Sequence, residues 1–220
     1  MSKFIVLKEL IRGKSLGRIL QNLEFSHLTL FGKVIDLGSK TDSSSYYRFV
    51  KKDVGTELLF TDKYENNNIV NLDLEKPYPI ENNKYDFVIL NNVLEHLFEY
   101  QKCSNEIFRI LKEGGTLLGS VPFIHKIHHD PDDFFRYTDS SLKKIFQISG
   151  FETIEIKALA LGPFSTASAL IAPLLKVKLF SIFLIILSIG IDNIINSLCS
   201  KKLIKQFYPL SYFFICKKGM

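Results

Sequence analysis

Residues 85–97 read YDFVILNNVLEHL. The first half, Asp86–Leu90, is an unbroken run of bulky apolar residues after one acid, the pattern of a strand buried on both faces. The second half opens a different period. Apolar residues at 93, 94, 97, 98, 107, 108, 110 and 111 predict a helix over Val93–Leu111. A Gly114-Gly115 turn then leads into Thr116–Val121 (TLLGSV), a second strand. Buried strands alternating with helices imply a parallel sheet covered on both faces, so this stretch predicts a doubly wound α/β fold.

The same alternation extends outward. Upstream lie strand-like runs at Lys33–Leu37 and Glu57–Thr61; downstream, Ser140–Ile148 is helical, Ser149-Gly150 ends it, and Phe151–Ala158 alternates as a strand. Ser211–Lys217 (SYFFICK) supplies the last strand. With 220 residues, 46% hydrophobic and 23% charged, the chain has enough apolar material for a buried core, which excludes a disordered or collagen-like protein. Its three cysteines, Cys103, Cys199 and Cys216, show no C-x-x-C spacing, which fits reduced thiols and no structural zinc site.

Charge divides the chain more sharply than its total of +5 suggests. Residues 1–23 carry +4, residues 24–162 carry −5, and residues 163–220 carry +6. A nucleic-acid binder is expected to concentrate positive charge around its working face, so the acidic middle argues against that partner. The basic ends are also the greasy ones. Residues 1–25 read as an amphipathic helix, expected to pack on the sheet. The 28 residues from 164 to 191 contain only Lys176 and Lys178 as charges. Within them, Leu179–Ile191 is charge-free for 13 residues, shorter than the roughly 20 that a spanning helix needs. Both ends of this stretch return to strands expected to be neighbours, so a helical hairpin is predicted. Its expected partners are its own domain, a second copy in a homo-oligomer, or a membrane surface met peripherally through residues 164–206. The expected boundaries are 1–25 for the N-terminal helix, 26–162 for the core, 163–206 for the insertion and 207–220 for the last strand.

Open α/β sheets bind ligands beyond the carboxyl ends of their strands, so the residues that follow each strand are the candidate site. They are Asp36 and Gly38 after the first strand, Asp62 after the second, Asp73 and Leu74 in the following loop, and Asn91 and Asn92 after DFVIL. An acid at 62 is placed to accept ribose hydroxyls, and one at 73 to receive an adenine amino group.

The series VIDLG (34–38), FTD (60–62), NLDLEKPYP (71–79), YDFVILNNVLEHL (85–97) and EIFRILKEGGTLLGSVP (106–122) resembles the class I S-adenosylmethionine-dependent methyltransferases. More narrowly, with His128…Asp133-Phe134-Phe135-Arg136-Tyr137-Thr138, it resembles the small methyltransferase-domain proteins associated with surface-polysaccharide biosynthesis. The resemblance implies a Rossmann-like, mostly parallel seven-stranded sheet, S-adenosylmethionine as cofactor, and a cytoplasmic enzyme that methylates a glycan or glycolipid precursor, on oxygen in preference to nitrogen; the charge and apolar patterning add the expectation that it works at the inner membrane face. It implies that Asp36 and Gly38 line the methionine end of the cofactor, Asp62 the ribose and Asp73 the adenine, with Asn91 near the sulfonium. The family's first loop is glycine-rich; here it reads GSKTD (38–42), which places Lys40 to pair with the cofactor carboxylate. The alternative is a non-catalytic scaffold in a glycan-assembly complex.

The string HKIHHDPDDFFRYT (125–138) carries two sets of readings. His128 is a candidate general base oriented by Asp133, with Arg136 holding an anionic substrate group. The structural reading makes the segment a lid, with Phe134, Phe135 and Tyr137 packed on the sheet and Arg136 paired to Asp133 or Asp139. Its histidines and acids match no zinc spacing, and no metal is expected.

Overall fold

The structure is a computed structural model that describes residues 3–39, 44–63, 69–198 and 204–220. In chain order its elements are α1 (Lys3–Ile11), α2 (Leu16–Phe25), β1 (Thr29–Leu30), β2 (Lys33–Leu37), β3 (Lys51–Lys52), β4 (Glu57–Asp62), β5 (Val70–Asn71), β6 (Tyr85–Asn91), α3 (Tyr100–Ile110), β7 (Leu111–Pro122), α4 (Asp139–Ser149), β8 (Thr153–Leu159), α5 (Pro163–Ile171), α6 (Lys178–Leu198) and β9 (Ser211–Lys217). Seven strands form one sheet in the order β5-β4-β2-β6-β7-β9-β8, with β1 and β3 a separate parallel pair. Pairings from β5 through β7 are parallel, and β9 runs antiparallel to both β7 and β8. This is the doubly wound, mostly parallel sheet the sequence predicts.

The two faces of the sheet follow from the two-residue side-chain period. Ile35, Leu37, Val88, Leu90 and Leu117 point to one side, where Cys103 and Ile107 of α3 and Leu142 and Phe146 of α4 cover them. Val34, Ile89, Leu118 and Phe213 point to the other, beneath Leu16, Ile19 and Phe25 of α2. The amphipathic N-terminal segment therefore packs on the sheet as expected, as two helices rather than one. The break falls at Gly13, whose φ of +81° L-side chains seldom adopt, and the Ser15 hydroxyl caps α2 by accepting from Arg18 N at 3.3 Å.

Two expectations shift. The helix predicted from Val93 begins only at Tyr100; residues 94–96 form a single 3₁₀ turn. Asn92, at φ +54°, swings the chain out of helical register. Glu75 Oε1 then accepts from the backbone nitrogens of Phe98 and Glu99, at 2.9 and 3.1 Å, just ahead of α3. The strand predicted from Thr116 begins at Leu111 and carries the Gly114-Gly115 pair within it, across a break in register against β6.

Between the neighbouring strands β8 and β9, α5 and α6 form the predicted helical hairpin. Asp192 of α6 is buried and accepts from the backbone nitrogens of Phe164 (3.1 Å) and Ser165 (2.7 Å), capping the start of α5. The approach is close enough that a Cβ at Gly162 would meet Asp192 at 2.4 Å. α6 is long and apolar enough to cross a membrane by length and composition, yet only 17% of its most apolar window is buried.

Candidate active site

Chain order reverses between β2 and β6: β4 and β5 continue to one side of β2, and β6 and β7 lie to the other. A cavity of about 220 Å³ opens at this switch point, beyond the carboxyl ends of the parallel strands. Gly38 after β2, Asp62 at the end of β4, Asp73 and Leu74 after β5, and Asn92 after β6 all line it. Gly38 has φ +77°, and a Cβ there would meet Val93 Cγ2 at 2.7 Å, so the turn admits no side chain. Asp73 Oδ1 accepts from Glu75 N at 3.1 Å and Lys76 lies 3.4 Å from Oδ2. Partial burial pushes the carboxyl up, but that bond, Lys63 and Lys76 together hold it below its ordinary value. Asp130 and Asp132 add further acid to the rim, and Phe98 and Phe134, in edge-on contact at 5.5 Å, close one wall. Acids for hydroxyl, amino and sulfonium groups beside aromatic and aliphatic surface match the chemistry of an adenosyl sulfonium.

Of the predicted cofactor residues, Gly38, Asp62, Asp73 and Leu74 come together here, and Lys40 lies outside the described residues. Asp36 and Asn91 need correction. Asp36 is buried beneath the cavity, because the 3₁₀ turn Ser45–Arg48 folds back over β2 and Tyr46 and Tyr47 both donate to Asp36 Oδ2, Tyr47 at 2.6 Å. Burial pushes its carboxyl up to about 7, against the opposing pull of the Tyr46, Tyr47 and Ser39 hydroxyls. Asn91 turns into the sheet, where its Oδ1 accepts from Ser120 Oγ at 2.5 Å. Asn92 takes its place on the cavity wall.

Asn92 also lines a second cavity of about 520 Å³, walled by α2, the segment after β7, and α5. Arg18, Gln21, Lys126 and His128 supply its polar lining, and Leu170, Pro173, Leu174 and Leu210 its apolar lining. The amides of Gln21 and Asn92 face each other at 2.9 and 3.1 Å. In its favoured orientation the Asn92 oxygen lies 3.1 Å from both terminal nitrogens of Arg18. Burial lowers the pKa of Arg18, and among the described residues its guanidinium has no carboxylate within salt-bridge distance.

The 125–138 segment runs between the two cavities. Asp133 is sequestered and takes both terminal nitrogens of Arg136, at 2.5 and 2.7 Å, along with the His128 backbone nitrogen at 2.9 Å. The Arg136 guanidinium holds the Asp133 carboxyl far below its ordinary value. Arg136 also donates to the Phe135 and Lys126 carbonyls, so its guanidinium ties the loop together instead of reaching toward a substrate anion. Tyr137 is buried and donates to Leu94 O at 3.2 Å; Phe135 packs against the core, and Phe134 stays exposed at the cavity edge. The loop is pinned to the 94–96 turn as well, where Phe134 N and Phe135 N both donate to Glu95 O. His128 therefore stands beside Glu95, which raises its pKa, and its ring lies 5.0 Å from that of His96. Glu95, His96, Arg18 and Gln21 are the functional candidates that strand-end reasoning passes over.

Residues 39–119 match the family described as a methyltransferase domain. No curated protein sequence matches the chain. Among solved structures, a SAM-dependent methyltransferase from Archaeoglobus fulgidus aligns over 99% of this chain and 100% of its own, with TM-score 0.57 and 16% identity. The [4+2]-cyclase SpnF aligns over 92% and 81%, with TM-score 0.58 and 13% identity. A Haemonchus contortus phosphoethanolamine N-methyltransferase 2, in complex with S-adenosyl-L-methionine, aligns over 91% of this chain and 52% of its own, with TM-score 0.53 and 14% identity. At such identities these structures establish the fold, and a cyclase among them shows that the fold leaves the reaction open. The domain match over residues 39–119 and the acid-rimmed cavity beyond the strand ends carry the rest, and together they support an S-adenosylmethionine-dependent methyltransferase with S-adenosylmethionine as its cofactor.

Proposed function

We propose that the protein methylates an oxygen of an anionic glycolipid precursor at the cytoplasmic face of a membrane. The observation that carries this reading is the second cavity, which meets the cofactor cavity at Asn92 and is basic at one end and apolar at the other. Bound in the first cavity, S-adenosylmethionine supplies a methyl group on a cationic sulfur. Gly38 and Asn92 give the backbone close access to that group, and Asp62 and Asp73 hold its polar edges. An acceptor head group with phosphate or carboxylate charge meets Arg18 and Lys126, and its lipid lies along Leu170 and Leu174 toward the hairpin. This orientation brings a sugar hydroxyl to the wall shared by both cavities. There Asn92 aligns it beside His128.

The hairpin gives the lipid somewhere to come from. Leu179, Phe180, Phe183, Ile186, Leu187 and Ile194 are all exposed and recur at helical spacing along one face of α6. Its opposite face buries Ile185, Ser188, Ile189 and Asp192. Lys176 and Lys178 flank this apolar stripe, an arrangement suited to monotopic contact with anionic lipid. The assay is transfer of a labelled methyl from S-adenosylmethionine to phosphorylated glycolipids extracted from membranes, compared with the same glycans freed of lipid. The reading expects label in the lipid fraction and little in the delipidated glycans. Equal labelling removes the lipid, and cofactor binding with no labelling of either removes the substrate class.

A further inference from the structure

Three side chains from two distant segments converge between the cavities, and they are Glu95, His96 and His128. Glu95 is 0% exposed, and neither of its carboxylate oxygens has a hydrogen-bond partner among the described residues. Nε2 of His96 and Nε2 of His128 each lie 3.7 Å from Glu95 Oε1, and one ligand atom from each of the three residues falls within 4.8 Å of the other two. The second nitrogen of each ring faces an acceptor. His96 Nδ1 meets the backbone carbonyl of Asp132, and His128 Nδ1 faces Asp133 Oδ2 at 3.4 Å. A carbonyl can only accept, so the His96 ring carries its proton on Nδ1 and turns an Nε2 lone pair toward Glu95, while His128 Nδ1 makes no hydrogen bond among the described residues and its Nε2 faces the same carboxylate oxygen. Three Lewis bases facing one point, with the carboxylate among them fully buried, are stabilised together by a cation. A shared proton would draw a pair to within hydrogen-bond distance, whereas 3.7 Å is near the ~3.3–3.5 Å between ligand atoms of a tetrahedral site with bonds of about 2.0–2.1 Å.

We propose that Glu95, His96 and His128 bind a divalent transition ion of the zinc type, with its fourth position open to the acceptor cavity. Two imidazoles and one carboxylate suit zinc and its neighbours better than magnesium or calcium. The Asp132 carbonyl fixes the His96 ring in the ligating tautomer, and Arg136 holds the Asp133 carboxylate 3.4 Å from the far nitrogen of the His128 ring. The Phe134 and Phe135 backbone bonds to Glu95 O hold the two ligand-bearing segments together. His96 lines the cofactor cavity and His128 the acceptor cavity, so the ion sits at the wall between them. Its catalytic role rests on the methyl-transfer reading above. The acceptor hydroxyl oxygen takes the open position and releases its proton to solvent water. Its lone pair then forms the new O–C bond while the C–S bond breaks, the electron pair staying on sulfur as a neutral thioether.

The test uses the full chain, stripped with a chelator and titrated with Zn²⁺ by calorimetry and with Co²⁺ by visible absorption. One ion per chain is expected, bound at micromolar concentration or tighter. Binding should weaken at least tenfold in Glu95→Gln and in His128→Gln, while both variants still take up S-adenosylmethionine. Metal-free Glu95→Gln should melt no lower than the metal-free parent, which separates ligand loss from misfolding. A parent that takes up no ion at 100 µM, or variants that bind it as the parent does, overturns the site. An ion whose removal leaves methyl transfer unchanged overturns its catalytic role. Failure of the methyltransferase reading itself would show as absent cofactor binding, with ion stoichiometry intact.

Discussion

The two cavities that meet at Asn92 are built from different material. The smaller is made by the ends of consecutive parallel strands, and its walls fall at positions that the strand pattern dictates: 38, 62, 73 and 92. The larger is assembled from α2, the segment after β7, α5 and the start of β9, pieces that share no period and no motif. The first is dictated by the sheet's topology, whereas the second depends on which surfaces the sheet's coverings leave apart. A strand-end cavity is therefore expected to tolerate little change, and the covering cavity to be tunable. Substitutions on either side of Asn92 test that difference.

The largest effect is expected just beneath the first cavity, at Asp36. Its carboxyl is pushed up to about 7 by burial, against an unfolded value near 4. A carboxyl raised on folding favours the folded state fully below the unfolded value, and that contribution is lost as pH rises through the folded value. Three units correspond to about 4 kcal/mol as an upper bound. Asp36→Asn should therefore gain melting temperature relative to the parent as pH rises from 5 to 8. Parallel melting curves for the two proteins across that range would show that Tyr46 and Tyr47 stabilise the ionised form.

Asp62→Ala comes next. Loss of a charge-assisted hydrogen bond of about 1.5–3 kcal/mol should weaken S-adenosylmethionine or S-adenosylhomocysteine binding roughly tenfold to a hundredfold by calorimetry. An unchanged affinity would mean that the cofactor enters elsewhere and that the strand-end rule misleads for this sheet.

That rule accounts for how much was legible beforehand. The runs at 33–37 and 211–217 are observed as strands with those bounds, because a two-residue period over a buried face leaves little freedom. Gly38 and Asp62 follow from strand ends, and Asp73 and Leu74 from the loop that comes after the second of those strands. What failed to show depends on local geometry or on tertiary contact. The one-residue error between Asn91 and Asn92 arises from a positive φ that no apolar pattern signals. Asp36 lies near the end of β2, but its surroundings are set by Tyr46 and Tyr47, ten and eleven residues on. The Glu95, His96 and His128 cluster is invisible in 125–138 because two of its three members lie at 95 and 96, some thirty residues upstream. Tertiary contacts bring these segments together, among them the backbone bonds from 134 and 135 to Glu95 and the Tyr137 hydroxyl on Leu94 O.

The third test is Arg18→Ala, on the covering side. Arg18 faces Asn92 across the junction but lies outside the lining of the cofactor cavity. Cofactor affinity should stay within about twofold, while KM for an anionic acceptor rises roughly tenfold, the worth of one bond to a charged group. A matching fall in cofactor affinity would mean that the cavities act as one, and that Arg18 orders Asn92 instead of reading the acceptor.

The smallest effect is expected furthest out, on the exposed face of α6. Phe183 and Leu187 are one helical turn apart on that face, 60% and 47% exposed. Neither lines a described cavity, so replacing both with serine should leave cofactor affinity unchanged. Soluble proteins seldom leave an apolar stripe uncovered along a helix, and the two candidates for covering it respond differently to composition. Lipid contact combines apolar burial with attraction of Lys176 and Lys178 to anionic head groups, so binding should weaken as neutral lipid replaces anionic lipid in the vesicles. A second copy of the chain would be indifferent to head-group charge. Phe183→Ser with Leu187→Ser should thus weaken sedimentation with anionic vesicles several-fold, about the worth of two partly buried side chains. If the double variant instead turns a dimer into a monomer in solution and leaves vesicle binding unchanged, the face is a protein interface. The acceptor's apolar end must then be held by the neighbouring copy rather than by lipid.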